Sequence, residues 1–463
     1  MKMKKYSEEQ LNAIKTTNNH TAVIAGAGSG KTTVLIARIN EILDEGINAE
    51  EILAITFTRK AANEMVLRIK NKNVLIKTFD AFCYDLVLNY YSEEIKIIEN
   101  SPFSETEITK FNNYDVNLKR GLKPLKYDEY VKFKETNNLY DFNDIEYLAL
   151  DIIKKHKITF KHILIDEFQD TNELQYRLFK FLIKDQTKTF VVGDPDQSIY
   201  GFRGANFRII AKYIKEYEAK TLILSNNYRS TKEILISANS LISNNKYRIK
   251  KELIPITDEE GKVVINNFLN ETYEYEFIIK QYNELKEEYK SFAILYRNNY
   301  QGTLYRKYFQ DLPSNMLVTT IHQSKGLEFD VVFVLGVNEG VLPDSKIKTV
   351  SEKEEERRLL FVAITRAKKL LYVSSSTQAF FGGMRTYQKQ SSFIKQLTPK
   401  VIVKKPKPKE VIKDTYEIGD LIDHELFGEG TITEINKKIL VIDFGTEHGI
   451  KKLLSNHPSI TKK

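Results

Sequence analysis

The stretch that most constrains the fold of this chain is TAVIAGAGSGKTTVLIARI, residues 21–39. Here an apolar run passes through a glycine-rich turn into an amphipathic helical pattern. Gly26, Gly28 and Gly30 let the backbone turn tightly and point successive N–H groups into one concavity, where the helix N-terminus adds its positive dipole end. This order of strand, loop and helix predicts a phosphate-binding loop. It departs from the pattern GxxxxGK[ST] at one position, because the first glycine is Ala25 here.

The side chains of this loop predict how a nucleotide and its metal ion are held. Lys31 would reach the terminal phosphates, and the hydroxyl of Thr32 would hold a magnesium ion. The residues of the loop predicted to contact the nucleotide are Ala25, Gly26, Ala27, Gly28, Ser29, Gly30, Lys31, Thr32 and Thr33. The alternative is a glycine-rich turn with a surface lysine. The loop alone leaves the reaction open, because kinases, GTPases, transporters and motor ATPases share it.

Length and composition favour a multidomain protein of the cytoplasm. The 463 residues suffice for two or three domains, and no apolar run approaches the ~18–20 residues of a membrane helix. The basic start MKMKK is not followed by an apolar segment, so no secretory signal is predicted. The single cysteine, Cys83, excludes internal disulfides and cysteine-based zinc sites. The net charge of +8 is compatible with nucleic acid as a partner but does not require it.

Two carboxylates follow an apolar strand pattern further along the chain. The pattern covers residues 162–165 and ends directly at Asp166 and Glu167. In this position the first carboxylate can hold magnesium and the second can polarise the attacking water. Gln197 follows the strand pattern of residues 189–193, where it could sense the terminal phosphate. After a phosphate-binding loop, this order is typical of ATP-hydrolysing machines.

Two segments predict contacts with nucleic acid. Thr58 and Arg59 open a helical pattern whose N-terminus could accept a backbone phosphate. Tyr200, Phe202 and Arg203 combine rings and positive charge, and the bases of a single strand stack on such surfaces at about 1–3 kcal/mol each. The alternative for these rings is a core aromatic cluster, and spacing alone does not decide between the two.

A second set of strands predicts a second α/β layer. Its strand patterns cover residues 221–224, 291–296, 317–320, 330–336 and 370–375. Two arginines of this part, Arg229 in NNYRST and Arg366 in FVAITRA, could be donated across a domain interface to a transferring phosphoryl group. Such a donation is worth ~10³–10⁵ in rate. Two such donors would make hydrolysis depend on closure of the interface.

The C-terminal part differs in composition from the rest. Residues 398–415 contain KKPKPK and predict a stiff, positively charged linker. Beyond it, residues 416–463 alternate short β patterns with glycine-containing turns, which predicts a small barrel.

In this order the motifs resemble those of the UvrD, Rep and PcrA helicases, within helicase superfamily 1A. The likeness covers most of residues 6–376. It rests on AGAGSGKTT, ITFTRKAANEM, ILIDEFQDTN, VVGDPDQSIYGFRGA, LSNNYRST, LYRNN, TTIHQSKGLEFDVV and EEERRLLFVAITRAKK. The tail IGDLIDHELFGEGTITEI is similar to the Tudor-like domain that ends the UvrD and PcrA proteins.

The resemblance implies an α/β fold with two RecA-like P-loop NTPase domains, a helical insertion and a small all-β (Tudor/SH3-like) barrel. The implied parts are domain 1A at 1–83 and 161–220, insertion 1B at 84–160, domain 2A at 221–397, the linker at 398–415 and the barrel at 416–463. Only residues 298–318 join two motifs between which the family inserts a large helical subdomain, called 2B. The chain is therefore predicted to lack 2B.

The resemblance also implies an activity and the residues that perform it. The activity is ATP- and Mg²⁺-dependent movement 3′ to 5′ along single-stranded DNA, with unwinding at junctions of single and double strand, in DNA repair, replication or recombination. Asp166 would lie on the metal side, and Glu167 would be the general base. Gln197 would couple the γ-phosphate to DNA, and Arg229 and Arg366 would be the arginine fingers.

Further contacts are implied at matching positions. Gln10 would contact adenine, Tyr228 would stack on it, and Glu328 would touch the ribose. The implied DNA contacts are Phe57, Thr58, Tyr200, Phe202, Arg203 and His322.

Two side chains depart from the family pattern, and two other functions stay open. Phe202 stands where the family has tryptophan, and Asp80 stands where it has histidine in TFH, which puts a carboxylate near the expected DNA path. One alternative is an adaptor whose tail barrel docks a protein such as RNA polymerase. The other is the helicase subunit of a nuclease or phage-defence pair.

Overall fold

The computed structural model describes most of the chain and divides it into two compact units. The described residues are 6–91, 94–302, 313–381, 384–397, 402–404, 416–424, 427–437, 439–455 and 460–462. The units are Met1–Val403 and Lys404–Lys463. Among the helices of the described part, none combines the length and apolar character that crossing a membrane requires.

The central strands of the first sheet of the larger unit are short, largely buried apolar runs, as expected for parallel strands covered on both faces, whereas the two edge strands are partly exposed. Its strands are β1 (His20–Ala25), β2 (Ile52–Ile55), β3 (Leu75–Lys77), β4 (His162–Ile165), β5 (Lys188–Gly193) and β6 (Lys220–Leu224). They are parallel and lie in the order β3-β2-β4-β5-β1-β6. Because β4, β5 and β1 are neighbours, the segments that follow these three strands meet at one edge, where open α/β sheets bind ligands.

Helices cover both faces of this sheet. They are α1 (Glu8–Ile14), α2 (Lys31–Asp44), α3 (Arg59–Arg68), α4 (Phe79–Tyr90), α7 (Phe142–His156), α8 (Glu173–Leu182) and α9 (Ile209–Glu216), while α5 (Glu105–Val116) and α6 (Tyr127–Asn137) form a separate cluster. Side-chain caps fix several of their starts: Ser7 caps α1, Thr58 caps α3 and Asn172 caps α8.

The predicted insertion is helical, but its last helix belongs to the core of the first sheet. Ile145, Ala149 and Ile153 of α7 are buried in the same cluster as Phe82 and Cys83 of α4. A separate aromatic cluster, formed by Phe111, Tyr127 and Tyr130, holds α5 and α6 together.

The second sheet has the same parallel design. After the short pair β7 (Asn226–Asn227) and β8 (Ile254–Pro255), its strands are β9 (Lys262–Phe268), β10 (Phe292–Tyr296), β11 (Met316–Thr320), β12 (Phe329–Val334) and β13 (Ala367–Ser376). The hairpin β14 (Gln378–Phe381) and β15 (Met384–Tyr387) precedes the edge strand β16 (Ile402–Lys404). The order is β11-β10-β12-β13-β9-β16. The accompanying helices are α10 (Lys232–Ile242), α11 (Glu271–Leu285) and α12 (Val350–Ile364).

Two sequence expectations about these sheets were wrong, and one strand was not predicted. The strand at 221–224 was predicted in the second layer, but β6 pairs with β1 and completes the first sheet. Strand β9 was not predicted, since KVVINNF mixes apolar and amide side chains, yet it pairs with β13 over seven residues. Within the predicted linker 398–415, Ile402–Lys404 is a strand at the edge of the second sheet, and the rest of that stretch lies outside the described residues.

The smaller unit is an antiparallel sheet in the order β20-β19-β18-β17-β21. Its elements are β17 (Leu421–His424), β18 (Gly428–Asn436), β19 (Ile439–Asp443), α13 (Gly445–His448), β20 (Ile450–Leu454) and β21 (Ile460–Lys462). Alternate residues form its core, among them Ile422, Ile432, Leu440 and Ile442. In the described pairings β20 and β21 are the two edges, so closure into a Tudor-like barrel stays a prediction.

Candidate nucleotide and nucleic-acid site

The loop between β1 and α2 has the predicted geometry, and its glycines are required for two reasons. Gly28 and Gly30 have φ of +65° and +83°, in the left-handed region where a side chain is strained. Gly26 is required for space, because a Cβ there would lie 2.3 Å from Cδ2 of Leu253. The loop begins directly after Ala25, the last residue of β1.

Two predicted adenine contacts lie beside this loop. The Tyr228 backbone N–H donates to the Gly28 carbonyl at 3.0 Å, and the Tyr228 ring is half exposed. Gln10 is buried, and its Nε2 donates to the Ser29 carbonyl at 3.1 Å. Both residues are positioned by the loop itself, and their role toward adenine stays a prediction.

Two further polar atoms of this segment bond to neighbouring elements. The Ala27 carbonyl accepts a hydrogen bond from Asn227 Nδ2 at 2.7 Å. Thr33 Oγ1 accepts one from Arg68 Nη2 at 3.2 Å, on the side of α2 that meets α3. The phosphate-binding loop and the start of α2 are thus held by Asn227, which follows β6, and by Arg68 of α3.

The cation and hydroxyl at the start of α2 face the carboxylates that follow β4. Lys31 Nζ lies 3.5 Å from Glu167 Oε1, and Thr32 Oγ1 donates to Asp166 Oδ2 at 3.2 Å. Burial, together with the charge of Glu167, raises the pKa of Asp166 to about 6. Burial would also raise the pKa of Glu167, but the ammonium groups of Lys31 and Lys325 hold it at about 2. Glu167 is therefore an ionised carboxylate held between two cations.

Gln197 and Arg366 are in contact although they belong to segments of different sheets. Arg366, directly after α12, is buried, and its Nη2 donates to Gln197 Oε1 at 3.3 Å. Its Nη1 donates to the Leu327 carbonyl at 3.0 Å. Among the described residues Arg366 forms no salt bridge, so its positive charge is not neutralised by a carboxylate in contact. This arrangement suits a guanidinium that receives a phosphate group.

The second predicted arginine is paired with the predicted ribose contact. Arg229 Nε lies 2.8 Å from Glu328 Oε2, and Nη1 donates to the Thr365 carbonyl at 3.1 Å. Lys368 Nζ binds the other oxygen of Glu328 at 2.9 Å. Arg229 and Glu328 therefore lie together as a partly exposed pair, and Arg229 binds the residue that precedes Arg366.

The predicted DNA-binding rings form one cluster. Phe57 and Tyr200 are stacked, with ring centroids 5.0 Å apart. The Arg203 guanidinium lies over both Tyr200 and Phe202, at 5.6 and 5.5 Å from the ring centroids. The Phe202 ring is 49 % exposed, and His322 meets it edge-on at 5.5 Å. The cluster therefore combines an accessible ring with a positive charge.

His322 adds a neutral ring to this cluster. Burial, with the charges of Arg297 and Arg203, lowers the pKa of His322 to about 4. At neutral pH its imidazole is therefore uncharged and supplies ring surface.

Thr58 and Arg59 lie at the predicted helix start. Thr58 is the N-cap of α3, and its Oγ1 accepts the Ala61 N–H at 3.2 Å. Arg59 is exposed on the first turn. The Asp80 carboxylate, at the start of α4, interacts electrostatically with Arg59 and Arg203. A carboxylate therefore lies near two cations of the predicted DNA path.

Two family models match most of the chain. The UvrD/REP helicase N-terminal domain matches residues 6–123 and 89–218, and the UvrD-like helicase C-terminal domain matches 222–313 and 305–378. A probable DNA helicase of Mycoplasma pneumoniae is 30 % identical over 468 residues, covering 85 % of this chain and 87 % of the relative. The chain belongs to the UvrD/REP helicase family.

Other relatives match along nearly their whole length. The ATP-dependent DNA helicase PcrA of Staphylococcus epidermidis is 25 % identical, covering 100 % of this chain and 99 % of the relative. The probable DNA helicase II homolog of Mycoplasma capricolum is 25 % identical, covering 98 % of each.

Two polar residues of this UvrD/REP helicase site were not predicted. Gln169 is fully buried, and its Nε2 donates to Glu167 Oε2 at 2.5 Å. Its Oε1 accepts the Asp194 backbone N–H at 2.7 Å, so Gln169 joins the segments that follow β4 and β5. Lys325 forms a hydrogen-bonded salt bridge with Asp170.

Lys325 also connects the nucleotide edge of this UvrD/REP helicase to its aromatic cluster. Its ammonium lies 4.0 Å from Glu167 Oε2 and donates to the Gln197 carbonyl at 3.0 Å. The same group lies 5.0 Å from the centroid of the Tyr200 ring. The motifs QSKGLEF and DEFQD contain both missed residues, but only long-range packing shows what they contact.

Proposed function

We propose that this UvrD/REP helicase is an ATP-driven motor that moves 3′ to 5′ along single-stranded DNA and unwinds DNA at junctions of single and double strand. The observation that carries the proposal is the contact between Arg366 and Gln197. It joins a guanidinium that directly precedes strand β13 of the second sheet to a polar side chain that follows strand β5 of the first, and Glu167 and Lys31 lie nearby. Hydrolysis would then depend on how the two sheets are arranged, as a motor requires.

The DNA substrate is supported by the aromatic cluster and by the relatives. Phe57, Tyr200, Phe202 and Arg203 offer rings and a cation of the kind on which single-stranded bases stack. The relatives cited above are named as DNA helicases. The direction of movement and a role in repair, replication or recombination rest on the resemblance of the motifs.

For the metal ion, we propose that Thr32 and Asp166 hold Mg²⁺, which when bound would neutralise charge on the phosphates. Their hydroxyl and carboxylate oxygens fit, because Mg²⁺ prefers hard oxygen ligands and takes one or two carboxylates together with phosphate oxygens. Within the described residues no group of three or more His, Cys, Asp or Glu forms a ready cage, so phosphates and water would complete the shell.

A missing 2B subdomain is also part of the proposal. The match to the S. epidermidis relative extends over 724 positions, whereas this chain has 463 residues, so more than a third of those positions have no counterpart here. The two matches to the C-terminal domain meet at residues 305–313, within the joining stretch 298–318. Residues 303–312 of that stretch lie outside the described residues.

The proposal is tested by steady-state ATP hydrolysis of the full chain with and without single-stranded DNA. We expect strong stimulation by DNA, abolished by Lys31→Ala and by Arg366→Ala. The control is Lys134→Met, which breaks a buried ion pair among α6 and α7. It should retain stimulation. A folded, nucleotide-binding wild type that DNA does not stimulate would contradict the proposal.

The direction is tested separately, by displacement of streptavidin from biotin at either end of a single strand. Movement 3′ to 5′ should displace it from the 5′ end only. Displacement from the 3′ end alone would reverse the proposed polarity.

A further inference from the structure

Four charged side chains are buried together between the segments that follow β5 and α10. Lys251 Nζ lies 2.6 Å from Asp194 Oδ1 and 2.6 Å from Asp196 Oδ2. Arg248 binds both oxygens of Asp196, at 2.7 and 3.2 Å. The side chains of Lys251, Asp194 and Asp196 are 1 %, 0 % and 2 % exposed. Two cations thus neutralise two carboxylates that water does not reach.

The attraction between the charges of this cluster is strong because their side chains are buried away from water. Burial alone would lower the pKa of Lys251 and raise that of Asp194. The negative charge of Asp194 opposes the first shift, and the positive charge of Lys251 opposes the second. The pKa of Lys251 is raised and that of Asp194 is lowered. Lys31 contributes to the lowered pKa of Asp194, which places the cluster close to the phosphate-binding loop. Removal of one ion would leave a partner buried without compensation.

The cluster holds the side chain that we propose senses the terminal phosphate. Asp194 Oδ2 accepts a hydrogen bond from Gln197 Nε2, while Gln197 Oε1 accepts one from Arg366. The Asp194 backbone N–H is bound by Gln169, whose amide also binds Glu167. A shift of Asp194 would therefore move the donors and acceptors around the reacting phosphate.

The segment that carries Lys251 is fixed at its far side. Asn239 of α10 exchanges two hydrogen bonds with the Leu253 backbone, both at 3.0 Å. Leu253 in turn covers Gly26 of the phosphate-binding loop. Lys251 is thus held by the second part of the chain while it binds carboxylates of the first.

We propose that Lys251, assisted by Arg248, is a positioning residue for ATP hydrolysis: through Asp194 it holds the Gln197 amide in the orientation that meets Arg366 and the terminal phosphate. The inference deepens the proposed function and rests on ATP hydrolysis at this site. Within the described residues the ammonium of Lys251 binds Asp194 and Asp196, and it forms no ion pair or hydrogen bond with the phosphate-binding loop or with the aromatic cluster. It acts through Asp194, so its effect belongs to the chemical step and not to nucleotide binding.

The test compares Lys251→Met with Lys134→Met in the full chain. Lys134 is a matched control, because it is also buried and bound to two carboxylates, Asp141 at 2.7 Å and Asp144 at 2.6 Å, away from the nucleotide edge. Both variants should lower the melting temperature. Only Lys251→Met should lower kcat, by about 10- to 100-fold, as expected when a reacting group is displaced by about 1 Å. KM for ATP should stay nearly unchanged.

Two further measurements separate positioning from general destabilisation. Lys251→Met should bind ADP as the wild type does but should bind ADP with aluminium fluoride, a transition-state analogue, more weakly. Lys251→Arg keeps the charge and should recover part of kcat. If Lys251→Met does not fold, Arg248→Met is tested instead, because in that variant Lys251 still binds Asp194. It should lower kcat in the same way but by a smaller factor.

The results also distinguish this inference from the proposed function. A wild type without DNA-stimulated hydrolysis would contradict the proposed function before any variant is compared. An active wild type with a folded Lys251→Met variant whose kcat is within about twofold of that of Lys134→Met would overturn this inference alone. A loss confined to KM would overturn it as well.

Discussion

Arg366 donates to Gln197 across 169 residues of sequence, with its Nη2 3.3 Å from Oε1 of the glutamine. Gln197 is bound to Asp194 at the end of β5, whereas Arg366 follows α12 and donates to the Leu327 carbonyl beside the second sheet. The contact therefore reports how the two sheets are placed. A nucleotide that binds to both residues would stabilise one such placement, and its hydrolysis would release it.

Arg366→Ala should remove the charge that we propose stabilises the transferring phosphoryl group. We expect kcat to fall by ~10³ or more, with a smaller effect on KM, because the interaction is strongest in the transition state. Steady-state kinetics with saturating single-stranded DNA measure both constants. Arg366→Lys keeps the positive charge but lacks the planar guanidinium with its several N–H donors, so it should recover only part of kcat. A variant that retains kcat within about tenfold would exclude the role of arginine finger.

Gly28→Ala should abolish nucleotide binding because two effects combine at this position. Its φ is +65°, and a Cβ would lie 2.6 Å from Asn227 Nδ2 and 2.7 Å from Arg229 Cβ. Gly46→Ala is the matched control, since its φ is +87° but no atom lies within 4 Å of the added carbon. In the control, the only cost should be the strain of an alanine in the left-handed region, which should lower the free energy of unfolding by about 1–2 kcal/mol. Titration with a fluorescent ATP analogue should show binding in the control and none in Gly28→Ala.

Phe202→Ala should weaken binding of single-stranded DNA by about 1–3 kcal/mol, the usual value of one stacked base. Phe202→Trp should strengthen binding, because tryptophan offers a larger stacking surface. Fluorescence anisotropy with a labelled oligonucleotide measures both. Tyr387→Ala, at a ring that is 83 % exposed on β15, is the control and should bind as the wild type does. Equal affinities of all the variants would place the DNA elsewhere.

Asp80→Asn should strengthen DNA binding by removing the carboxylate that acts on Arg59 and Arg203. Exposed charge interactions of this kind are worth about 0.2–1 kcal/mol, and the gain should shrink as salt is raised. Asp85→Asn is the control, because it removes the same charge one turn further along α4, where Asp85 binds Lys77 at 2.9 Å. If both variants gain affinity equally, net charge and not position is responsible.

The sequence was sufficient for the parts of the site that lie in contiguous motifs. Lys31 and Thr32 open the helix after the glycine-rich loop, and Asp166 and Glu167 directly follow a strand pattern. The structure brings all four together. Their proposed roles are open to the tests above. Gln197 and Arg366 were also selected, although their mutual contact was not predicted from spacing.

The rest depended on packing between distant segments. Lys251 lies in a loop with no periodic pattern, and only its burial against Asp194 distinguishes it from the surface lysines that surround it in the sequence. The strand at 221–224 was assigned to the wrong sheet because four mostly apolar residues do not specify which strand they pair with. The burial of Lys251 and the sheet to which 221–224 belongs were both decided by contacts between distant segments, not by local propensity.

Glu146→Gln should stabilise the protein at neutral pH, although it replaces a buried residue. Glu146 lies on α7, and burial, with the charge of Asp80, raises its pKa to about 8. Between pH 4.5 and 8 the folded state therefore binds more protons than the unfolded state, so this group stabilises below pH 4.5 and loses that contribution as pH rises to 8. Glutamine removes the dependence and keeps an oxygen for Gln175, which donates at 2.8 Å. The expected gain at pH 7 is up to about 3 kcal/mol, and none at pH 4.5. Urea unfolding at both pH values measures it, with Glu135→Gln, at an exposed position on α6, as control. A variant that is less stable than the wild type at pH 7, by more than at pH 4.5, would show that Glu146 is ionised in the folded protein and bound by a partner that glutamine cannot replace.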